Sequence, residues 1–501
     1  MAEISAKSLS RHTIVYAFGN IVSRSVGFLL IPFYTEYLTT GDYGVLDIVD
    51  VTVALLAQLL GFNIGGALVR FYFDDDDWER RKRLIATAQI FFTLFVGVVT
   101  LFLALGAPLL APALFGGDEF RVHFRLTMAI LLLSAAAEPA IALMRAEQRS
   151  TFFVILAFSK MVIEIGLKVY LIAYLQFGVL GAIWGSVLAW IYAAAIPLVW
   201  LLGRSGFHFS FAQLKRLVGF TYPLILSGLS GFALHSADRY MIRWLGEAGG
   251  TENLNLVGIY GLAYKFGYLI NFILLDPFLL IWFPYIFSIK LRERQQERNA
   301  QVASYLNALL IWASLGLALV MPEVVRIAAQ KPEFYAADQP VPVILLGYVF
   351  WALYQMFHTG IFIEKRTQLL PRVVMTAALV NIGLNAVMIP RWGIMGAAWA
   401  TVIAFVVLAA LAYWRTQAIF PVRYEWRRLA GPLVLGVGLF LAGKLLDRLG
   451  PLGLAPFGLV GDLLLTACYP LVLWKCGFVR REEWGKVREA LAALRHRFSH
   501  R

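Results

Sequence analysis

The feature that most constrains this chain is a succession of apolar runs, each about as long as a helix that crosses a membrane. They fall at 13–37, 43–69, 84–115, 121–145, 151–175, 178–202, 217–242, 255–287, 300–329, 335–364, 369–389, 393–416, 429–449 and 455–478. A spanning helix takes roughly 20 predominantly apolar residues, because the hydrocarbon core is about 30 Å thick and a helix rises about 1.5 Å per residue. No water in that core meets backbone N–H and C=O groups, so each span must satisfy them internally, as a helix does. The runs therefore predict an all-α polytopic membrane protein of about fourteen transmembrane helices. Prolines such as Pro277 and Pro284 tilt or break the longest of them. Composition agrees: 60% of the 501 residues are hydrophobic and 15% charged, whereas soluble domains carry nearer a quarter charged residues.

A net charge of +13 would raise the question of nucleic acid in a soluble protein, but here placement decides. One set of connections collects Lys7 and Arg11, Arg80 to Arg83, Arg145 and Arg149, Arg204 with Lys215 and Arg216, Arg292, Arg294 and Arg298, Lys365 and Arg366, Arg423 with Arg427 and Arg428, and the tail from Arg480. The alternate set holds Asp42, Asp118 and Glu119, Gln176, 247–255 and 333–338, with only isolated basic residues such as Arg121, Arg125, Lys331 and Arg391. A missed span would bring two basic connections into succession, and none collide. The positive-inside rule then puts both termini in the cytoplasm, with the basic connections on anionic headgroups. The expected location is a membrane with the basic connections on its cytoplasmic face, and no nucleic-acid partner is expected. The polar start runs straight into the first apolar run without a small-residue cleavage site, which predicts an uncleaved first span.

An internal repeat divides the chain further. Phe177-Gly-Val-Leu-Gly-Ala-Ile-Trp-Gly-Ser-Val returns 215 positions later as Trp392-Gly-Ile-Met-Gly-Ala-Ala-Trp-Ala-Thr-Val. Glu147-Gln-Arg-Ser matches Glu364-Lys-Arg-Thr, and Ile165-Gly-Leu-Lys matches Ile382-Gly-Leu-Asn, both at an offset of 217. Spans one to six thus read as a copy of spans seven to twelve. An even number of spans per copy makes the repeat parallel. The expected organisation is an N-terminal lobe at 1–203, a C-terminal lobe at 204–420, two extra helices at 421–478, and a basic amphipathic tail at 479–501 lying on the inner leaflet.

Charges inside spans cost roughly 2.5–3.5 kcal/mol each at a helix centre on insertion scales, so they face a cavity or one another. Arg24 lies near mid-depth of the first span, and Asp47 and Asp50 share a face of the second. Lys160, Glu164 and Lys168 repeat every four residues and form one stripe of the fifth; a salt-bridged packing seam is the structural alternative. His235, Asp238 and Arg239 cluster in the seventh, where Asp238 with Arg239 reads equally well as a structural ion pair. Lys265 and Asp276 lie three turns apart in the eighth. His358 in the tenth reads as a hydrogen-bonded packing residue. Arg24, Lys160, Lys168, Arg239 and Lys265 outnumber the carboxylates near them, which suits a phosphate-bearing cargo held by charge-assisted hydrogen bonds. A cleft for cationic drugs would want surplus carboxylate.

Other signals carry no chemistry. Gly438 to Lys444 matches GxxxxGK, but Leu445 replaces the required Ser/Thr and a membrane span is no phosphate loop. Gly61/Gly65 and Gly181/Gly185 have the GxxxG spacing of closely packed helices. Asp74 to Asp77 reads as a solvated loop. Cys468 and Cys476 lack metal-ligand spacing, and neither a metal nor an organic cofactor is expected.

The stretch Tyr16-Ala-Phe-Gly-Asn-Ile-Val-Ser-Arg24-Ser-Val-Gly-Phe, then Pro32-Phe-Tyr-Thr-Glu-Tyr-Leu and Asp42-Tyr-Gly-Val-Leu, resembles the first hairpin of the Wzx-type O-antigen and exopolysaccharide flippases. These belong to the multidrug/oligosaccharidyl-lipid/polysaccharide exporter (MOP) superfamily. Ser236 to Met241, Gly258 to Lys265 and Gly393 to Thr401 resemble that family's seventh, eighth and twelfth helices. The resemblance implies two six-helix lobes alternating between inward and outward openings, and no enzymatic step. It implies an undecaprenyl-diphosphate-linked oligosaccharide as cargo and a polysaccharide polymerase with its chain-length machinery as neighbours. It also implies a cationic cavity at Arg24, Lys160, Lys168, Arg239 and Lys265. An H+ or Na+ gradient would supply the drive through one of Asp47, Asp50, Glu164, Asp238 or Asp276, with Asp50 and Glu164 foremost. A drug/cation antiporter of the same fold (MATE type) and, less well supported, a polytopic glycan polymerase or ligase are the competing readings. The latter would want a long outer loop, and the longest here runs to about a dozen residues.

Overall fold

The computed structural model describes residues 26–61, 63–247, 249–449 and 458–478. Arg24, most of the first expected span and the 479–501 tail lie outside the described residues. Among those described, helices account for nearly everything and no strand occurs. The chain separates into two compact units.

The first unit takes the chain up to Phe266, with 325–340 and 368–404. Its helices are α1 (Ile31–Tyr37), α2 (Thr40–Leu59), α3 (Ile64–Asp74), α4 (Trp78–Leu105), α5 (Ala107–Phe115), α6 (Arg121–Ala146), α7 (Ser150–Val169), α8 (Gly178–Ser205) and α9 (Phe211–Leu245). Most of α10 (Asn253–Ile270) follows. Local chemistry sets several ends. Thr39 and Asp42 form a capping box at α2, the Asp42 amide donating to the Thr39 hydroxyl and the Thr39 amide to the Asp42 carboxylate. Asp77 caps α4, so the end of the acidic run has a structural task. Ile64, Phe92, Val96, Leu131 and Ala135 form a core between α3, α4 and α6. At Gly44 on α2 and Gly258 on α10 the two backbones touch: a Cβ on Gly44 would meet the Leu254 carbonyl, and one on Gly258 the Thr40 carbonyl.

The second unit comprises 267–324, 341–367 and the chain from 405. It holds α11 (Asp276–Ser288), α12 (Arg292–Leu319), the start of α13 (Met321–Ala328), α14 (Val341–Phe357), α15 (Thr359–Ile363), the end of α16 (Leu370–Gln417), α17 (Trp426–Leu449) and α18 (Gly458–Lys475). Ile311, Leu315, Leu319, Val349 and Tyr469 form its core. Two side-chain bonds fasten α18 onto α12: the Tyr469 hydroxyl donates to the Ala308 carbonyl (3.3 Å), and Trp312 Nε1 donates to the Thr466 carbonyl (2.9 Å).

Eleven helices among the described residues are long and apolar enough to cross a membrane, against fourteen expected runs. The first run lies mostly outside the described residues. The fifth corresponds to α7, whose three charged side chains sit in 20 residues and which is not among the eleven. The eleventh and twelfth share the stretch α16, which is two helices meeting at a sharp kink at the non-helical Gly393 (φ 52, ψ −134).

The backbone carries the internal repeat into three dimensions. Gln148 (φ 56) and Lys365 (φ 54) are both left-handed, and they are equivalent positions of the repeat. Each ends its helix in a Schellman motif: Arg149 N–H bonds the Met144 carbonyl and Arg366 N–H the Ile361 carbonyl, both at 2.9 Å. Gly178 and Gly393, also equivalent, share φ 52. At Gly393 that φ is combined with ψ −134, a region essentially open only to glycine.

Candidate functional site

The stripe on α7 is the starting point. Glu164 takes both flanking lysines: Lys160 Nζ donates to its Oε2 (2.6 Å) and Lys168 Nζ to its Oε1 (2.7 Å). Ser186 on α8 donates to the same Oε1 (3.1 Å). The helices fit because Gly185 leaves room for the lysine stem; a Cβ there would lie 2.6 Å from Lys168 Cγ. A Cβ on Gly181 would lie 3.1 Å from the Leu171 carbonyl, so this GxxxG spacing is indeed a packing device. Two aromatic faces complete the lysine environments, Trp190 4.6 Å from Lys160 Nζ and Tyr34 5.9 Å from Lys168 Nζ.

Across from the stripe, Lys265 of α10 donates to the Tyr43 hydroxyl of α2 (2.9 Å), its ammonium 4.6 Å from that ring. Between these walls lies a cavity of about 270 Å³. Lys160, Lys168 and Lys265 line it together with Asp50, Glu164, Ser186, Tyr34 and Tyr43, and Leu30, Ile130 and Ile183 add an apolar side. Asp50 is exposed to this space. Among the described residues the lining holds three lysines and two carboxylates. Charged hydrogen-bonding groups around a small, partly enclosed volume interact more strongly than they would in water.

The other singled-out residues lie elsewhere. Arg239 lines no part of this cavity and is buried with Asp47 and Asp238. Its Nη1 donates to Asp238 Oδ1 (2.8 Å) and to the His235 carbonyl (2.6 Å), its Nε lies 3.5 Å from Asp47 Oδ2, and its guanidinium stacks 3.8 Å from the Tyr264 ring centre. Tyr260 donates to Asp238 Oδ2 at 2.7 Å. The Asp238–Arg239 pairing that the spacing left open is therefore a buried ion pair. Asp276 belongs to the second unit, where it accepts from Asn271 Nδ2 (3.0 Å) and the Tyr268 hydroxyl (3.2 Å). His358 is buried with Nδ1 2.8 Å from the Tyr354 carbonyl, the packing role expected of it. Tyr34, Tyr43, Ser186 and Trp190 escaped the sequence reading. Ser186 and Trp190 were legible as a polar and an aromatic side chain one turn apart on a membrane helix, whereas the tyrosines carry no such signal.

The model of a family described as polysaccharide biosynthesis protein matches residues 9–290 of the chain. The chain belongs to that family. No curated protein sequence matches this polysaccharide biosynthesis protein. Among solved structures its fold is similar to lipid II flippase MurJ in an inward closed conformation, with a TM-score of 0.73 at 13% identity, covering 93% of this chain and 99% of that one. It is also similar to an inward-facing multidrug resistance MATE transporter of the MOP superfamily (TM-score 0.63, 15% identity, 79% and 94% covered). A MOP-superfamily transporter from Pyrococcus furiosus gives 0.55 at 14% identity, with 81% and 95% covered. The protein is thus a multi-pass membrane protein with the MOP transporter fold.

Proposed function

We propose that this polysaccharide biosynthesis protein is a flippase that carries an undecaprenyl-diphosphate-linked oligosaccharide repeat unit from the cytoplasmic to the outer leaflet of a bacterial inner membrane. The observation that carries the reading is the single cavity onto which Lys160, Lys168 and Lys265 converge. Ammonium groups held in a low-dielectric pocket match the oxygens of a diphosphate, and the apolar side suits the first carbons of a prenyl chain. The glycan follows the diphosphate while the remaining prenyl tail stays in lipid. Two six-helix lobes at 1–203 and 204–420, with both termini cytoplasmic, would alternate access to the cavity. No covalent chemistry is required. An H+ or Na+ gradient supplies the drive, with Asp50 and Glu164 as the coupling carboxylates. A polysaccharide polymerase and its chain-length machinery consume the product.

Deleting the gene and scoring surface polysaccharide against drug susceptibility separates this reading from a drug antiporter: glycan is lost and susceptibility is unchanged. Complementation with Lys160→Ala or Lys265→Ala is expected to leave surface glycan absent while the protein still reaches the membrane. Full glycan in both strains would remove the cavity from the mechanism. Raised drug sensitivity with intact glycan would favour the antiporter.

A further inference from the structure

We propose that Glu164 is a resident counter-anion: it occupies the anion position between Lys160 and Lys168 and must be displaced when a diphosphate enters. This rests on the reading of the cavity as a diphosphate site and adds how that site lets go of its ligand.

The geometry is that of an internal ligand. Each carboxylate oxygen of Glu164 takes one ammonium, at 2.6 and 2.7 Å, and Ser186 supplies a third donor at 3.1 Å. Two acceptor oxygens spread between two cations, with a hydroxyl beside them, is also how a phosphoryl group would be held. The same three donors cannot serve both anions at full strength. An entering diphosphate must draw Lys160 and Lys168 away from Glu164, and the separation of Glu164 from its lysines is subtracted from the ligand's affinity. What the ligand loses on entry it regains on exit, because Glu164 recloses the pair as the diphosphate leaves. A transporter whose cargo bound three lysines without a competitor would hold it too long.

The surroundings favour competition over a passive seam. Among the described residues, the charged groups that share the cavity wall with Glu164 are Lys160 and Lys168 on its own helix, Asp50 from α2 and Lys265 from α10, together with the polar Ser186 of α8, Tyr34 of α1 and Tyr43 of α2. A seam that served packing alone would be sealed by apolar neighbours. Here the carboxylate stands on the wall of a cavity of about 270 Å³. Asp50 supplies a second negative charge on that wall, so an anion that displaces Glu164 leaves two carboxylates near the cations it has taken, which further shortens its stay.

The test uses the full chain in lipid nanodiscs with farnesyl diphosphate as probe, binding being read as the shift in melting temperature and by calorimetry. Glu164→Gln keeps the shape and removes the charge. It is expected to bind the probe at least about tenfold more tightly than wild type, since a charge-assisted bond no longer has to be broken, and in proteoliposomes to release it more slowly. Glu164→Asp, which restores the carboxylate, is expected to return toward wild-type affinity. Equal or weaker binding by Glu164→Gln beside measurable wild-type binding overturns the counter-anion role and leaves the lysine site standing. Absence of probe binding to wild type overturns both. A wild-type measurement stands independently of how the variants fold. The infrared difference spectrum on probe addition is expected to show a carboxylate stretch leaving its ion-paired position, and an unchanged carboxylate region on binding overturns the displacement.

Discussion

Arg239→Ala is expected to remove most of the folded protein from the membrane. Arg239 is 6% exposed and is the cation shared by Asp47 and Asp238, themselves 8% and 2% exposed. Removing one partner of a buried ion pair leaves the other charge without compensation, at about 3–5 kcal/mol, and here two carboxylates lose the same guanidinium. The stacking on Tyr264 is lost with it. Such a cost is comparable to the whole stability of many domains, roughly 5–15 kcal/mol. Arg239→Lys keeps the charge but not the planar fork that reaches Asp238, the His235 carbonyl and Asp47 together, so a smaller loss is expected. If the cluster is a matched electrostatic unit, adding Asp47→Asn and Asp238→Asn to Arg239→Met recovers folding that Arg239→Met alone loses. Yield of monodisperse protein and its melting temperature check this series. A fully stable Arg239→Ala would show that the cluster contributes little to folding.

That cluster also marks where sequence reasoning reached its limit. The apolar runs, the alternating connections and the two copies of the repeat were legible because membrane insertion acts on contiguous segments. The Lys160–Glu164–Lys168 stripe was legible because helical spacing alone places residues four apart on one face. Which charges share a compartment depends on how helices approach one another, and no spacing rule encodes that. Arg239 was grouped with the lysines by residue type, yet contacts from α2 and α10 enclose it with Asp47, Tyr260 and Tyr264. Tyr43 gives no sign in its own neighbourhood of meeting Lys265, 222 residues away. The eleven long apolar helices and the fourteen runs differ at α7, whose three charged residues weaken its composition as a membrane segment, and at α16, where two helices meet at the non-helical Gly393 as the separate eleventh and twelfth runs require.

Gly258→Val is expected to abolish transport, and Gly44→Val likewise, because both glycines stand where α2 and α10 touch backbone to backbone. A side chain on Gly258 must push into the Thr40 carbonyl, and one on Gly44 into the Leu254 carbonyl. A backbone carbonyl cannot swing aside as the end of a flexible side chain can, so the helices must part. In lipid, where no hydrophobic force draws helices together, such close approach supplies much of their association through packing. Overpacking typically costs 1–3 kcal/mol. Parting has a second consequence along the same contact. Lys265 loses its 2.9 Å bond to Tyr43, and Asp47, whose carboxyl carbon lies 2.7 Å from where a Gly261 Cβ would be, loses its seat beside Arg239. One added isopropyl group thus disturbs the cavity and the ion cluster together. Gly261→Ala should be milder, since its obstacle is a side chain. Gly166→Ala on α7 meets nothing within 4 Å and is expected to be neutral or to stabilise by up to about 1 kcal/mol through helix propensity. Surface glycan and melting temperature measured across the four variants decide the matter. Glycan at wild-type levels in Gly258→Val would mean that the α2–α10 contact opens without consequence for the cavity, whereas loss in the two contact glycines with retention in Gly166→Ala locates the effect at the helix crossing.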